Sequence, residues 1–231
     1  MQLEHCGTLS TTMFDINRRF IVLSHGRSAS AMLAQRIGIH LGSFGTKFVK
    51  TPNELLPLYP IQHTHLVYTP SDLLSFCRVY SLRRDPVQTI LSGLFVNQFK
   101  VYHKVTDANK NTMYHYNGRQ TTDLHLDPFV FDRWYNCKLL CNRYCAWHRH
   151  YSSQLSSDDY VVFYEDILQH VENASTNHLL LYGNKEKILL NYNEVVEYIE
   201  LHFKEIMLDS QRIYTNHCNN ADIYKFLSKP I

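Results

Sequence analysis

Apolar residues fall along this chain in two rhythms. Residues 19–24 form an apolar run rich in β-formers, residues 77–83 make a second strand, and Tyr160-Val161-Val162-Phe163-Tyr164 a third. Short runs of this kind, closed by polar residues, predict strands buried on both faces, as strands of a parallel sheet are. The other rhythm is helical. Val87, Ile90, Leu91, Leu94 and Phe95 recur at i, i+3, i+4, i+7 and i+8, behind Asp85 and Pro86, which suit an N-cap and a first helical position. Residues 28–41 fit a helix stopped at Gly42, residues 129–151 a helix carrying Trp134, Leu139, Leu140, Cys141 and Trp147, and Val195, Val196, Ile199, Phe203 and Ile206 mark a last one. Strands alternating with helices predict an α/β protein whose parallel sheet is covered on both faces.

Two stretches break the rhythm. Pro52, Pro57, Pro60 and Pro70 punctuate residues 50–71, which read as loop with short elements. Residues 97–128 are polar and irregular, with Gly118 among Asn, Lys, Thr, Tyr and His. A connection of that length inside a compact domain predicts a lid, a binding loop or a disordered segment.

Composition narrows the class without choosing a function. The 231 residues suffice for one domain with a sizeable core, and 45% hydrophobic with 19% charged residues is the balance of a soluble globular protein. A net charge of +2 gives no reason to expect nucleic acid, and Trp147-His148-Arg149-His150 is too short a basic aromatic stretch to change that. No apolar run approaches the roughly 18–20 residues that cross a bilayer. Met1 to Asn17 has no signal-peptide core, so a cytoplasmic protein without membrane contact is the expectation. Six cysteines without framework spacing predict reduced thiols. Cys137, Cys141 and Cys145, at i, i+4 and i+8, read as a buried small-residue face rather than a metal site. The sequon Asn173-Ala174-Ser175 then carries no expected glycan.

Two strand-turn-helix junctions carry the chemistry. In the first, Gly26-Arg27-Ser28-Ala29-Ser30 sets one cation and two hydroxyls where a helix begins, so amides and dipole favour an anion. The Walker pattern of a P-loop kinase is absent, since no Gly-x4-Gly-Lys-Ser/Thr occurs. In the second, Arg84 ends a strand, Asp85-Pro86 opens a helix, and Ser92 follows eight residues after Arg84, where it can face the same anion.

On these residues the chain resembles the sulfotransferases that use 3′-phosphoadenosine-5′-phosphosulfate (PAPS). Their first loop commonly reads Pro-Arg/Lys-Ser-Gly-Ser/Thr-Thr, where this chain has His25-Gly26-Arg27-Ser28-Ala29-Ser30-Ala31. Their Arg-(Asn/Asp)-Pro motif with Ser eight after the Arg is matched by Arg84, Asp85, Pro86 and Ser92, and their Phe-Tyr-Glu-Asp segment by Phe163-Tyr164-Glu165-Asp166. A Lys-Thr-His segment of the cytosolic members corresponds to His63-Thr64-His65. The resemblance implies a P-loop-like three-layer fold, a central parallel sheet flanked by helices, as one sulfotransferase-like domain over residues 1–231 with 97–128 as an acceptor-side loop or lid.

It also implies roles. Arg27 with Ser28, Ala29, Ser30 and Ala31 would hold the 5′-phosphosulfate, Arg84 and Ser92 the 3′-phosphate, and Tyr164 would lie near the adenine. His65 would be the general base, with Arg27 stabilising the leaving phosphate, and no metal is required. PAPS is then co-substrate and 3′,5′-bisphosphate (PAP) the product. The acceptor is a hydroxyl or amine on a small molecule, saccharide or peptide. Ala29 and Ala31 stand where the family has Gly and a hydroxyl, His63 where it has Lys, and no Arg-Lys-Gly-x2-Gly element occurs near the C-terminus. Glu54 or a His within 97–128 is an alternative base. Tyr102, Tyr114 and Tyr116 fit a sugar-stacking surface or an ordinary exposed loop. Two further readings stay open: a P-loop-type nucleotide or small-molecule kinase, with Asp166 as the candidate Mg²⁺ carboxylate, and a catalytically inactive PAPS- or PAP-binding module.

Overall fold

A computed structural model of the chain describes residues 19–28, 30–42, 46–51, 54–55, 59–99, 101–106, 112–116, 119–121, 126–170, 185–215, 217, 223–224 and 227. Ala29, Asn173, Cys6 and Cys218 lie outside them. The first half of the chain runs β1 (Arg19–Leu23), α1 (Ser30–His40), β2 (Lys47–Val49), β3 (Ile61–Thr64), α2 (Pro70–Leu73), β4 (Phe76–Leu82) and α3 (Pro86–Phe99). It continues through β5 (Val101–Thr106), β6 (Thr112–Tyr116), β7 (Arg119–Thr121), α4 (Trp134–Ser152), β8 (Tyr160–Phe163) and α5 (Tyr164–His170). Then come α6 (Lys185–Ile188), α7 (Tyr192–Ile199), a π-helical turn (Glu200–Lys204) and α8 (Glu205–Thr215).

Five strands form a parallel sheet in the order β2-β3-β1-β4-β8, with β1 at its centre. The period of two along a strand sends alternate side chains of β1 to opposite layers. Phe20 and Val22 pack with Leu33, Ala34 and Ile37 of α1, together with Ile223 and Leu227. Ile21 and Leu23 pack on the other face with Trp147 and Tyr151 of α4 and Tyr214 of α8. All four β1 side chains are fully buried, and each such burial stabilises the fold by roughly 1.5–3 kcal/mol. A third cluster joins α3 to α4, α7 and α8 through Ile90, Leu94, Cys141, Ile199 and Met207. The cysteine stripe of α4 lies in that cluster, its thiols free. The chain is thus an α/β protein with a central parallel sheet flanked by helices.

Three local expectations change. Residues 97–128 hold a three-stranded antiparallel sheet, β5-β6-β7, rather than irregular loop, paired Thr106 to Thr112, Lys104 to Tyr114 and Tyr114 to Thr121. Its residues are β-prone but show no apolar alternation, so the polar composition masked the strands. β3 is one of the short elements expected inside the proline-punctuated stretch. α4 begins at Trp134 because Phe129 is instead bridged to Leu189, its N–H donating to the Ile188 carbonyl at 2.8 Å. α1 begins at Ser30, since Ser28 is held by β4. Gly42, at φ +66°, ends that helix as read, and Asp85 caps α3 by accepting the Val87 N–H at 2.9 Å. Among the described residues no helix is long and apolar enough to cross a membrane.

Candidate functional site

Helices leave the sheet from the carboxyl ends of β1, β4 and β8, and Arg27, His65, Arg84 and Tyr164 follow strand ends on that side. After β1 the Ser24 N–H donates to the Thr64 carbonyl at 3.2 Å, carrying the ladder one residue further, and the Ser24 hydroxyl accepts the Gly26 N–H at 3.2 Å. Gly26 (φ +104°) and Arg27 (φ +59°) then turn the backbone through two consecutive left-handed residues. A Cβ on Gly26 would lie 3.3 Å from His65 Nδ1, so glycine lets the loop approach that imidazole. For Arg27 the conformation costs on the order of 1–3 kcal/mol, and strain of this kind persists only where neighbours over-determine it.

Two serines supply that constraint. The Ser28 hydroxyl donates to the Ser81 carbonyl at 2.6 Å, and the Ser81 hydroxyl donates to the Ser28 carbonyl at 2.6 Å. This reciprocal clamp fixes the loop to β4 and commits the Ser28 hydroxyl to structure. Ser30 opens α1 with its Oγ 3.2 Å from His65 Nε2. Ala31 stands beside it in the first helical turn.

His65 follows β3 directly and is exposed, its ring edge-on to Phe48 at 5.2 Å. His63 faces the same phenylalanine at 4.8 Å but is buried within the strand. Glu54, the alternative base, accepts the Lys50 N–H at 3.0 Å, and that bond holds its carboxyl below the usual range, making it a poorer proton acceptor. The side chains of His103, His115 and His125, and of Tyr102, Tyr114 and Tyr116, lie outside the described residues.

Arg83 and Arg84 leave β4 in different directions. The Arg84 guanidinium donates to both oxygens of Asp166, at 2.9 and 2.6 Å, and stacks 4.4 Å over the Phe163 ring. The bond to Asp166 pushes its pKa further up. Tyr224 donates to the same carboxylate at 2.8 Å, so Asp166 is already engaged as the counter-ion of Arg84. Beside Arg84 opens a cavity of about 460 Å³, walled by Phe163 and by Leu208, Gln211 and Arg212 of α8.

Arg83 turns the other way. It lies 5.0 Å over the Tyr164 ring, and Tyr164 is buried beneath it. Lys185, which sequence reasoning did not single out, joins this side. Its Nζ donates to Gln88 Oε1 of α3 at 2.8 Å. Burial, with the charges of Arg83 and Arg27, brings the lysine pKa down to about 8, against a smaller opposing pull from Asp85. The fold therefore brings Arg27, Arg83 and Lys185 within electrostatic reach of one another, while Arg84 belongs to a separate ion pair. Ser92 is buried on α3, one turn beyond Gln88. The doublet Arg83-Arg84 was visible in the sequence; nothing in Gly183-Asn184-Lys185 signalled the third cation.

Two histidines, His25 of the loop itself, half-buried, and His148 of α4, buried, pack on Tyr144. His25 meets the Tyr144 ring edge-on at 5.1 Å, and burial and the Arg143 charge push its pKa down to about 4. His148, 4.2 Å from the same tyrosine, is also held neutral by burial and by His25.

Compared with known proteins, the chain matches no family model, no curated protein and no solved structure.

Proposed function

We propose that this protein is a PAPS-dependent sulfotransferase, and the observation that carries the reading is the strained Gly26-Arg27 turn held against His65 at the carboxyl end of the central strand. A P-loop-like arrangement is favoured by the sheet order, which places the first strand centrally with a loop and helix directly after it. Backbone turned in this way presents successive amides to an anion, and Arg27 adds a full charge. The reading assigns the 5′-phosphosulfate to Arg27 and residues 28–31. The motif resemblance gives Arg84 and Ser92 the 3′-phosphate and sets Tyr164 near the adenine.

In this chemistry the acceptor hydroxyl or amine attacks sulfur in line with the bond to phosphate. A new bond to sulfur forms, the sulfur–oxygen bond to the 5′-phosphate breaks, and PAP leaves carrying the electron pair. An imidazole is the side chain best matched to take the acceptor proton near neutral pH, and His65 is the exposed one beside the loop. Charge growing on the leaving oxygen is met by Arg27 and the α1 amides, donors already in place before the reaction.

The test compares ligands on the whole chain. PAP at 100 times its Kd should stabilise the protein by about 2.7 kcal/mol in thermal denaturation, ATP with Mg²⁺ much less, and Arg27→Ala should remove the PAP effect. Labelled sulfuryl should pass from PAPS to at least one member of a panel of saccharides, tyrosyl peptides and small alcohols. Equal stabilisation by ATP with Mg²⁺ overturns the reading in favour of a kinase. PAP binding with neither transfer nor PAPS hydrolysis overturns it in favour of an inactive binding module.

A further inference from the structure

Arg83 and Lys185 come from positions about a hundred residues apart and meet on one residue of α3. Lys185 Nζ donates to Gln88 Oε1, and Arg83 donates to the Gln88 carbonyl at 3.5 Å. Both acceptors are neutral. Among the described residues no carboxylate lies within 4.0 Å of Lys185 Nζ. Glu165 comes only to 4.0 Å from Arg83 Nε, an atom that is buried and without a hydrogen-bond partner. Asp85, the remaining nearby acid, spends its oxygen on the Val87 and Gln88 amides as the cap of α3.

Two cations set this close, with Arg27 at their edge, repel one another and have been partly stripped of water. Glu165, at 4.0 Å from Arg83, is the single acid that close to the pair among the described residues, so one charge of the two is left for a ligand to answer. The contrast with Arg84 is direct, since that guanidinium is satisfied twice over by Asp166. Ser92 stands at i+4 from Gln88, on the same face of α3. A forked donor, a point charge and a hydroxyl on one face fit a phosphate monoester.

We propose that Arg83 and Lys185, on the α3 face that carries Gln88 and Ser92, form the seat for a ligand's phosphate monoester, while Arg84 braces α5 through Asp166. The seat rests on the sulfotransferase reading, in which that group is the donor's 3′-phosphate. It transfers the cationic part of the role from the motif arginine to its neighbour and to a lysine from another element. Lys185 must be protonated to bind, so affinity should fall as pH rises past about 8.

Calorimetric titration of the full chain with PAP and with adenosine 5′-phosphate, which lacks the 3′-phosphate, tests this. Wild-type protein should prefer PAP. Arg83→Gln and Lys185→Gln should each weaken PAP binding by about tenfold or more while changing adenosine 5′-phosphate binding less than about twofold, and Arg84→Gln should cost less PAP affinity than either. Lys185→Arg should retain the preference. In case a variant fails to fold, the wild-type affinity for PAP measured from pH 7 to 9.5 should decline above about 8 and that for adenosine 5′-phosphate should not. Loss of the preference in Arg84→Gln alone, or a flat pH profile, overturns the seat and leaves the sulfotransferase reading standing. No PAP binding by wild-type protein overturns both.

Discussion

Arg78 and Arg83 stand near opposite ends of β4 and meet opposite surroundings. At the amino end, Arg78 Nε donates to Asp159 at 2.7 Å and its Nη2 to the Ser156 hydroxyl at 3.1 Å, while the Ser156 N–H donates to the other Asp159 oxygen at 2.9 Å. A cavity of about 620 Å³ opens beside this network, walled also by Arg19, Gln154 and Asp158, and its buried charges are already matched within the protein. At the carboxyl end, Arg83 and Lys185 both donate to neutral oxygens of Gln88, and the carboxylate of Glu165 comes to 4.0 Å from Arg83. The same residue type is held by a buried carboxylate at one end and, at the other, is the residue proposed above to meet a ligand's anion. The difference shows in which charges are answered by the chain itself, not in which cavity is larger.

The comparison breaks most visibly at Asp159. Its side chain is 3% exposed and that of Arg78 is 14% exposed, so removing the carboxylate strands a buried cation. Asp159→Ala should lose about 3–5 kcal/mol in urea unfolding, and Asp159→Ala with Arg78→Met should recover most of it. A loss under about 1 kcal/mol would mean that Arg78 is as poorly neutralised as Arg83, and the distinction between the ends would go with it.

Acid should act chiefly on the carboxyl end. His25 titrates near 4 in the fold and His148 also lies low, whereas an unfolded histidine titrates near 6.5. Between those values the unfolded chain binds more protons, so stability present above pH 6.5 is lost as pH falls toward 4. For His25 alone the loss is on the order of 3 kcal/mol by pH 4. Urea midpoints from pH 7 to 4.5 should decline accordingly, and His148→Phe, which keeps the ring packing against Tyr144, should flatten the part that His148 contributes. An unchanged midpoint over that range would show that both imidazoles reach water.

A smaller effect belongs to the serine clamp. Ser81→Ala leaves the buried Ser28 carbonyl without its 2.6 Å donor and should cost about 1–3 kcal/mol. More telling is where the cost falls. Hydrogen exchange should rise at Gly26 to Ser30 rather than along β4, because β4 keeps its ladders to β1 and β8.

How much of this was legible depended on whether a residue's neighbours lie in its own segment. β1 and α3 were plain, since Phe20 to Leu23 are all apolar and Val87 to Phe95 repeat at helical spacing. β3 was not, because Gln62, His63 and Thr64 are polar yet buried; Thr64 donates to the Val49 carbonyl of β2 and His63 lies on Phe48. Tertiary partners made these residues strand-compatible, and no local pattern carries that. The candidate site divides the same way. Gly26 and Arg27 are marked by the strand-turn-helix junction, and His65 by the motif resemblance alone. The eight-residue step to Ser92 points to Arg84, and nothing in its own segment shows that its guanidinium is paired with Asp166, 82 residues away. Lys185 is placed by packing alone.

The smallest expected effect is also the one whose sign divides the two ends. Lys185 sits half-buried among cations, so in the free protein its charge opposes folding rather than supporting it. Lys185→Met keeps most of the aliphatic stem, removes the charge, and leaves Gln88 half-buried where its amide can turn to water. Ligand-free stability should therefore rise by about 0.5–1 kcal/mol, opposite in direction to Asp159→Ala and in line with the trade-off seen where function requires strained charge. If Lys185 belongs to the proposed phosphate seat, saturating PAP should reverse the ranking, since wild-type protein would gain binding energy that the variant lacks. Unfolding measured with and without PAP reads both halves. If Lys185→Met is destabilised without ligand, Lys185 is a structural residue like Arg78, and the carboxyl end is not held open for an anion.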